Sequence, residues 1–231
     1  MKTAIIDIGT NTLLLLIVER VDGALRPVVD LCRFGKLGKE LDATGRLHVE
    51  SIAASLEICR EYRRVMDAHG VARVIAIATA AAREATNAAD FVGPAEAILG
   101  TTIDVIAGKR EATLAFASVT HTFPELAGTP YLVVDVGGGS TEFIATTDGA
   151  QITSAVSVKI GARRLTERHL ESDPPTPEQI AALVADIDQQ LASLELPRGV
   201  PVIGTAGTAT TIAAIELALA TYDPDAVTGL R

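Results

Sequence analysis

Residues 133–143 read VVDVGGGSTEF: an aliphatic run, an aspartate at its end, three successive glycines, then Ser140, Thr141 and Glu142. A turn needs one or two glycines. Three bare backbone units beside hydroxyls and a carboxylate indicate that something must approach the main chain closely. A glycine turn after a strand offers its N–H groups as a nest for phosphate oxygens, and hydroxyl or amide side chains add donors. The same plan recurs at residues 5–15, IIDIGTNTLLL, where Gly9, Thr10, Asn11 and Thr12 follow Asp7. The strand-end aspartates Asp7 and Asp135 are hard oxygen ligands suited to Mg2+. A third Gly/Thr stretch, GTAGTATT at 204–211, precedes a helical pattern. A helix N-terminus favours an anion, which brings in Gly207 and Thr208. Each turn alone is as readily a tight hairpin capped by its aspartate. The three together favour a site that grips a phosphate chain from two sides of a cleft. No GxxxxGK[ST] sequence occurs, so a P-loop is excluded.

The elements that must position these residues alternate between strands and helices, which argues for α/β layers. Residues 2–8, 12–19 and 24–34 read as three strands. The segment after His48 carries Ile52, Leu56, Cys59, Tyr62, Val65 and Met66 at helical spacing and stops at Gly70. A strand, a helical stretch to Leu99, another short strand and a helix from Gly108 follow. The loop composition of PELAGTP, 124–130, marks the domain boundary, giving domains 1–124 and 130–231. After it come a strand, GGGS, a second strand, an Asp148-Gly149 hairpin turn into a third strand, and a helix through GARRLTERHLES. Thr176, Pro177 and Gln179 read as an N-cap, a first-turn proline and a capping box for a helix to about Leu194.

The composition narrows the function classes. The chain has 231 residues, 48% hydrophobic and 3% aromatic with no Trp, so an aliphatic core is expected. Few aromatics and a net charge of −9 argue against nucleic-acid and membrane binding. A polyanion held by a local cationic pocket remains compatible, and Arg33, Lys36, Lys39, Lys109, Arg110, Lys159, Arg163 and Arg164 could form such a track. Cys32 and Cys59 read as buried thiols in a reducing cytoplasm. His48, His69, His121 and His169 lack metal-ligand spacing and read as surface or helix-end residues. The LLLLIV run near the N-terminus is too short to span a bilayer and reads as a buried strand.

DIGTNT, ATAAAREATN (78–87), IAGKREA (106–112), DVGGGSTE (135–142), SVKIGARRLTE (157–167) and GTAGTATTIAA (204–214) occur in this order. Together they resemble the exopolyphosphatase / guanosine pentaphosphate phosphohydrolase (Ppx/GppA) family, of the actin, sugar-kinase and heat-shock ATPase superfamily. The resemblance covers essentially the whole chain. It implies two ribonuclease-H-like (actin-like ATPase) domains around a central cleft. It also implies a further strand and helix after YDPDAVTGLR, so the second domain is expected to lack its C-terminal end.

The resemblance implies roles as well. Glu111 is the family's catalytic glutamate. Glu142 is a second acidic residue that, with Asp135, holds Mg2+ (or Mn2+) or the attacking water. Arg83 grips phosphate. Asp135, Gly137, Gly138, Gly139, Ser140 and Thr141 line one phosphate loop, and Asp7, Gly9, Thr10, Asn11 and Thr12 line the other. The implied reaction is release of terminal orthophosphate from inorganic polyphosphate, with 5′-phosphate removal from guanosine pentaphosphate as the alternative. A homodimer is compatible with the family. Three other readings stay open: a non-catalytic sensor of polyphosphate or guanosine tetraphosphate, an ATPase or phosphotransferase of the superfamily, and an actin-like filament protein.

Overall fold

Strand β1 (Lys2–Ile8) returns as β2 (Leu13–Val21) through a four-residue turn. β2 returns as β3 (Ala24–Arg33) through Asp22 and Gly23, both left-handed at φ 51° and 84°. That is the two-residue turn whose twist matches the flanking strands, and Asp-Gly favours it. The computed structural model describes all residues, 1–231. The chain continues through α1 (Leu41–Thr44), α2 (Val49–Ala68), β4 (Arg73–Ala78), α3 (Ala80–Glu84), α4 (Ala89–Leu99) and β5 (Ile103–Val105). The five strands order as β3-β2-β1-β4-β5, with β1, β4 and β5 parallel and the rest antiparallel.

Strand side chains alternate between faces. One face of this sheet, with Ala4, Ile6, Ile8, Leu13, Leu15, Ile17, Ala76 and Ala78, packs on Cys59, Tyr62 and Met66 of α2 and on Phe91, Ala95 and Leu99 of α4. Tyr62 is fully buried and its hydroxyl donates to the Leu13 carbonyl at 2.6 Å. The bond satisfies a phenol that burial would otherwise penalise. Tyr62, Phe91 and Tyr131 rank among the largest fully buried side chains, so the core is aliphatic with an aromatic minority rather than purely aliphatic. β3 is an edge strand, where Pro27 is tolerated, and it leaves Cys32 exposed. Only Cys59 is a buried thiol, which corrects the expectation for the pair.

The second compact unit begins at Gly108; the first is Met1–Ala107. The sequence placed a boundary at 124–130. The difference lies in α5 (Gly108–Thr122), which packs against the strands that follow it. These are β6 (Tyr131–Val136), β7 (Thr141–Thr146) and β8 (Ile152–Val158), succeeded by α6 (Ala162–His169), α7 (Pro177–Leu191), β9 (Val202–Thr205), α8 (Ala206–Glu216) and α9 (Pro224–Val227). The sheet order is β8-β7-β6-β9, again with an antiparallel hairpin set and one parallel addition, β6 with β9.

Alternation divides this second sheet as well. Tyr131, Val133 and Ile144 face α5 and meet Ala112, Phe116 and Val119. Phe116 stacks on Tyr131 at 5.9 Å between ring centroids. Leu132, Phe143 and Val158 face the other way, onto Leu165 of α6 and Leu183 and Ile187 of α7. α7 starts with the full Thr176–Gln179 capping box and ends at Leu191. The β7–β8 connection spans five residues, 147–151, rather than a two-residue turn. Asp148 Oδ1 accepts the N–H groups of Ala150 and Gln151, each at 2.9 Å, and so closes the loop. All four histidines stand at helix ends. No helix is long and apolar enough to cross a membrane.

Candidate active site

The GGGS turn between β6 and β7 is built from its carbonyls. Gly137 N–H closes the turn onto the Ser140 carbonyl at 3.0 Å. The carbonyl of Gly137 accepts from Ala162 N–H, and that of Gly138 from Arg164 N–H, each at 3.0 Å. The Gly139 carbonyl accepts from Arg164 Nε at 2.8 Å, and Thr141 Oγ1 donates to the Ile160 carbonyl at 2.6 Å. The segment after β8 therefore takes up one side of the turn's peptide groups. The N–H groups of Gly138 and Gly139 donate to no backbone carbonyl. This arrangement can bind an anion through main-chain dipoles. Gly161 makes the approach feasible: a Cβ there would lie 2.6 Å from backbone atoms of Gly138 and Gly139. Arg164, expected on an exposed cationic track, is only 6% exposed and pins the turn instead. Other members of that track are engaged in ion pairs: Arg33 with Glu61, Lys39 with Glu50, and Arg163 with Glu167.

The first unit repeats the device with different side chains. Gly9 N–H closes onto the Thr12 carbonyl at 2.9 Å. The Thr10 carbonyl accepts from Gly38 N–H at 2.8 Å and the Asn11 carbonyl from Lys36 N–H at 2.9 Å. Gly38 likewise follows the third strand, and a Cβ on it would sit 2.2 Å from Thr10 Cγ2. Lys36 takes a left-handed backbone, φ 52°, to present that N–H.

Asp7 is the penultimate residue of β1, just before this turn. Its Oδ1 is buried without a hydrogen-bond partner, and burial pushes its carboxyl up to about 6. A buried hard oxygen lacking a donor fits a divalent cation. Arg83, at the end of α3, donates from Nη1 to the Ile106 carbonyl at 2.8 Å, which brings its guanidinium to the carboxyl ends of β4 and β5. Ligands of open α/β sheets gather at such strand ends.

The acidic residues of the second unit converge beneath α5. Asp135 pairs with Glu142 across β6–β7, and Glu142 with Ser157 across β7–β8, so all three stand on the α5 face of the sheet. Glu142 is 1% exposed, and Ser157 Oγ donates to its Oε1 at 2.6 Å. Gly108, the first residue of α5, packs on Ser157, where a Cβ would be 3.2 Å from the serine Cβ. The N-terminus of α5 thus lies over this carboxylate, and its dipole favours a negative charge there. Glu111 occupies the same first turn. Gly207 and Thr208 lie in the first turn of α8, which starts directly from β9 without an intervening loop. Thr210 and Thr211 donate back to the helix carbonyls of Ala206 and Gly207. No group of three or more His, Cys, Asp or Glu gathers as a complete metal cage. Mg2+ needs none, since it is often held by one or two carboxylates with waters and substrate phosphates. Ser157 escaped notice in the sequence, although it opens the SVKIGARRLTE motif.

Two repeated α/β units with glycine hairpins at their strand ends define an actin-like two-domain protein. The model of the Ppx/GppA phosphatase family matches residues 16–229, and the chain belongs to that family. It is 35% identical to exopolyphosphatase 2 of Mycobacterium tuberculosis, over 98% of this chain and 74% of the relative. A crystal structure of an exopolyphosphatase-like protein superposes with a TM-score of 0.85 at 36% identity, covering 94% of this chain and 69% of the other. The Ppx/GppA family member of Aquifex aeolicus gives a TM-score of 0.76 at 33% identity, covering 100% and 74%.

Two predictions follow from this geometry. Gly161→Ala forces a methyl onto the 138–139 backbone and should cost about 1–3 kcal/mol in chemical denaturation. Gly93→Ala, in α4 with nothing near its Cβ, should be neutral or stabilising. Equal effects of the two would refute the clamp. Asp7 gives the second. Its raised carboxyl means that folding takes up a proton, so its contribution is fully present below pH 3.8 and lost as pH rises through about 6. Asp7→Asn should therefore stabilise by about 3 kcal/mol at pH 7.5 without Mg2+, and by almost nothing at pH 3.5. A gain that is equal at both pH values would contradict the burial argument.

Proposed function

We propose that this protein is an exopolyphosphatase, releasing terminal orthophosphate from inorganic polyphosphate by hydrolysis with Mg2+ or Mn2+. One observation carries the reading: the buried Glu142 carboxylate, held by Ser157 beneath the N-terminus of α5, next to a glycine turn whose carbonyls are turned away. Family membership and the name of the mycobacterial relative support the substrate class.

Hydrolysis of a phosphoanhydride forms a bond from water oxygen to the terminal phosphorus and breaks the bond to the bridging oxygen. The proton of the water passes to a carboxylate, and the shortened chain leaves as the phosphate anion. The transition state is loose, so positioning and charge neutralisation dominate. Glu142 and Glu111 are the carboxylates assigned to the water, one holding it and one accepting its proton. The turn 137–141, with Gly137, Gly138, Gly139, Ser140 and Thr141, and the turn of Gly9, Thr10, Asn11 and Thr12 take up charge on phosphate oxygens through the N–H groups not spent in closing each turn, and the guanidinium of Arg83 adds to them. Gly207 and Thr208, at the start of α8, are assigned to the same task. Asp7 and Asp135 are each candidate ligands for the divalent ion, which when bound neutralises phosphate charge. The reading places the protein in the cytoplasm.

Orthophosphate release should be measured with polyphosphate, guanosine pentaphosphate and ATP in the presence of Mg2+. Polyphosphate is expected to be the best substrate. Glu111→Gln and Glu142→Gln should each lower kcat by about 10²–10⁴. Faster release from guanosine pentaphosphate would move the assignment to the other activity of the family. Polyphosphate binding without release from any substrate would replace the enzyme by a sensor.

A further inference from the structure

We infer that Ser157 is a positioning residue of the hydrolytic site, fixing the Glu142 carboxylate so that a single oxygen, Oε2, is left for the water. The inference rests on the hydrolase reading above and adds a residue to it.

Three observations meet at Ser157. Its Oγ donates to Glu142 Oε1 at 2.6 Å, the short distance typical of a hydroxyl on an ionised carboxylate. It is the cross-strand partner of Glu142, so both side chains rise from the same face of the sheet. Gly108 closes over it, which ties the first turn of α5, and with it Glu111, to the serine. A carboxylate that is 1% exposed has lost its water shell. Without the serine hydroxyl it would be free to rotate about its terminal torsion, which is broad for glutamate. Both oxygens would then share the task, and the reacting geometry would be held only part of the time. Near-attack alignment is sensitive to displacements of this size.

A serine lost merely as packing would behave differently. Ser157→Ala keeps the Cβ that supports Gly108 and removes only the donor. Its kcat on polyphosphate should fall about 10-fold to 100-fold, the worth of one hydrogen bond to a charged group. The KM, and the Kd for polyphosphate measured by fluorescence titration of a labelled chain, should stay within about twofold, because ground-state binding is untouched. The second expectation is non-additivity. In a Glu142→Gln background, Ser157→Ala should cause no further loss, since the serine acts through the carboxylate. Thermal unfolding of each variant verifies the fold, and Ser157→Cys, with a weak donor of similar size, should fall between wild type and alanine.

An unchanged kcat in Ser157→Ala, with Glu142→Gln inactive, would overturn the role of Ser157 and leave the hydrolase reading standing. A loss that adds fully to that of Glu142→Gln would overturn it as well. Full activity in Glu142→Gln would instead overturn the assignment of the site itself.

Discussion

The structure depends on which side of a peptide group is made available. In both glycine hairpins the carbonyls are consumed from behind by the segment that follows the third strand. A peptide whose oxygen is bonded on one side must present its N–H on the other, since the amide is planar. Anion recognition by main chain therefore starts with the acceptors, and the residues that bond those acceptors lie 25 or more positions away, at 36–38 and 161–164. Glycine is needed on both surfaces of the contact. The hairpin must come close, and the clamp must leave no Cβ in its way, as Gly161 against the 138–139 backbone makes plain.

The second constraint is the burial of a carboxylate. Removing Glu142 from water is costly unless donors and dipoles replace the water. Ser157 supplies a donor and α5 supplies an oriented helix end. This is why α5 belongs with the second unit. It lies on the strand face that carries Asp135, Glu142 and Ser157, and its Phe116 is anchored on Tyr131 further along the same face. The Arg168–Asp186 salt bridge and the His169–Asp186 hydrogen bond hold α7 to the end of α6, so the helix that starts at the turn's clamp is secured at its other end too. His169 and Arg168 hold the Asp186 carboxyl down at about 2.

Much of this was legible because it is local. Strand ends, the paired DxG turns, the Thr176 cap and the helix stop at Gly70 are each encoded within a few residues. Ser157 was not, and the reason is register. A two-residue turn at 148–149 would pair residue 147 with 150, and hence Glu142 with Ala155. The loop is five residues long and the ladder shifts between Ala145 and Thr146, which brings Ser157 opposite Glu142 instead. A slip of two residues preserves the facing of every side chain, so no hydrophobic pattern reveals it. Arg164 was misplaced for a related reason. A guanidinium in a GARR sequence reads as surface charge until the turn it caps is known. Cys32 went astray because an edge strand alternates between faces just as a central one does.

The two hairpins can be superposed in thought, residue by residue: Asp7 on Asp135, Gly9 on Gly137, Thr12 on Ser140. The superposition then puts Leu14 on Glu142, since each is the register partner of its strand-end aspartate. One copy of the frame keeps a hydrocarbon where the other keeps an acid. The repeated scaffold is thereby specialised: one half sets a single carboxylate, Asp7, beside its cradle, and the other sets two, Asp135 and Glu142. In such a molecule recognition and reactivity are separable inheritances, because a single side chain at position 142 can be exchanged without touching the backbone that receives the ligand.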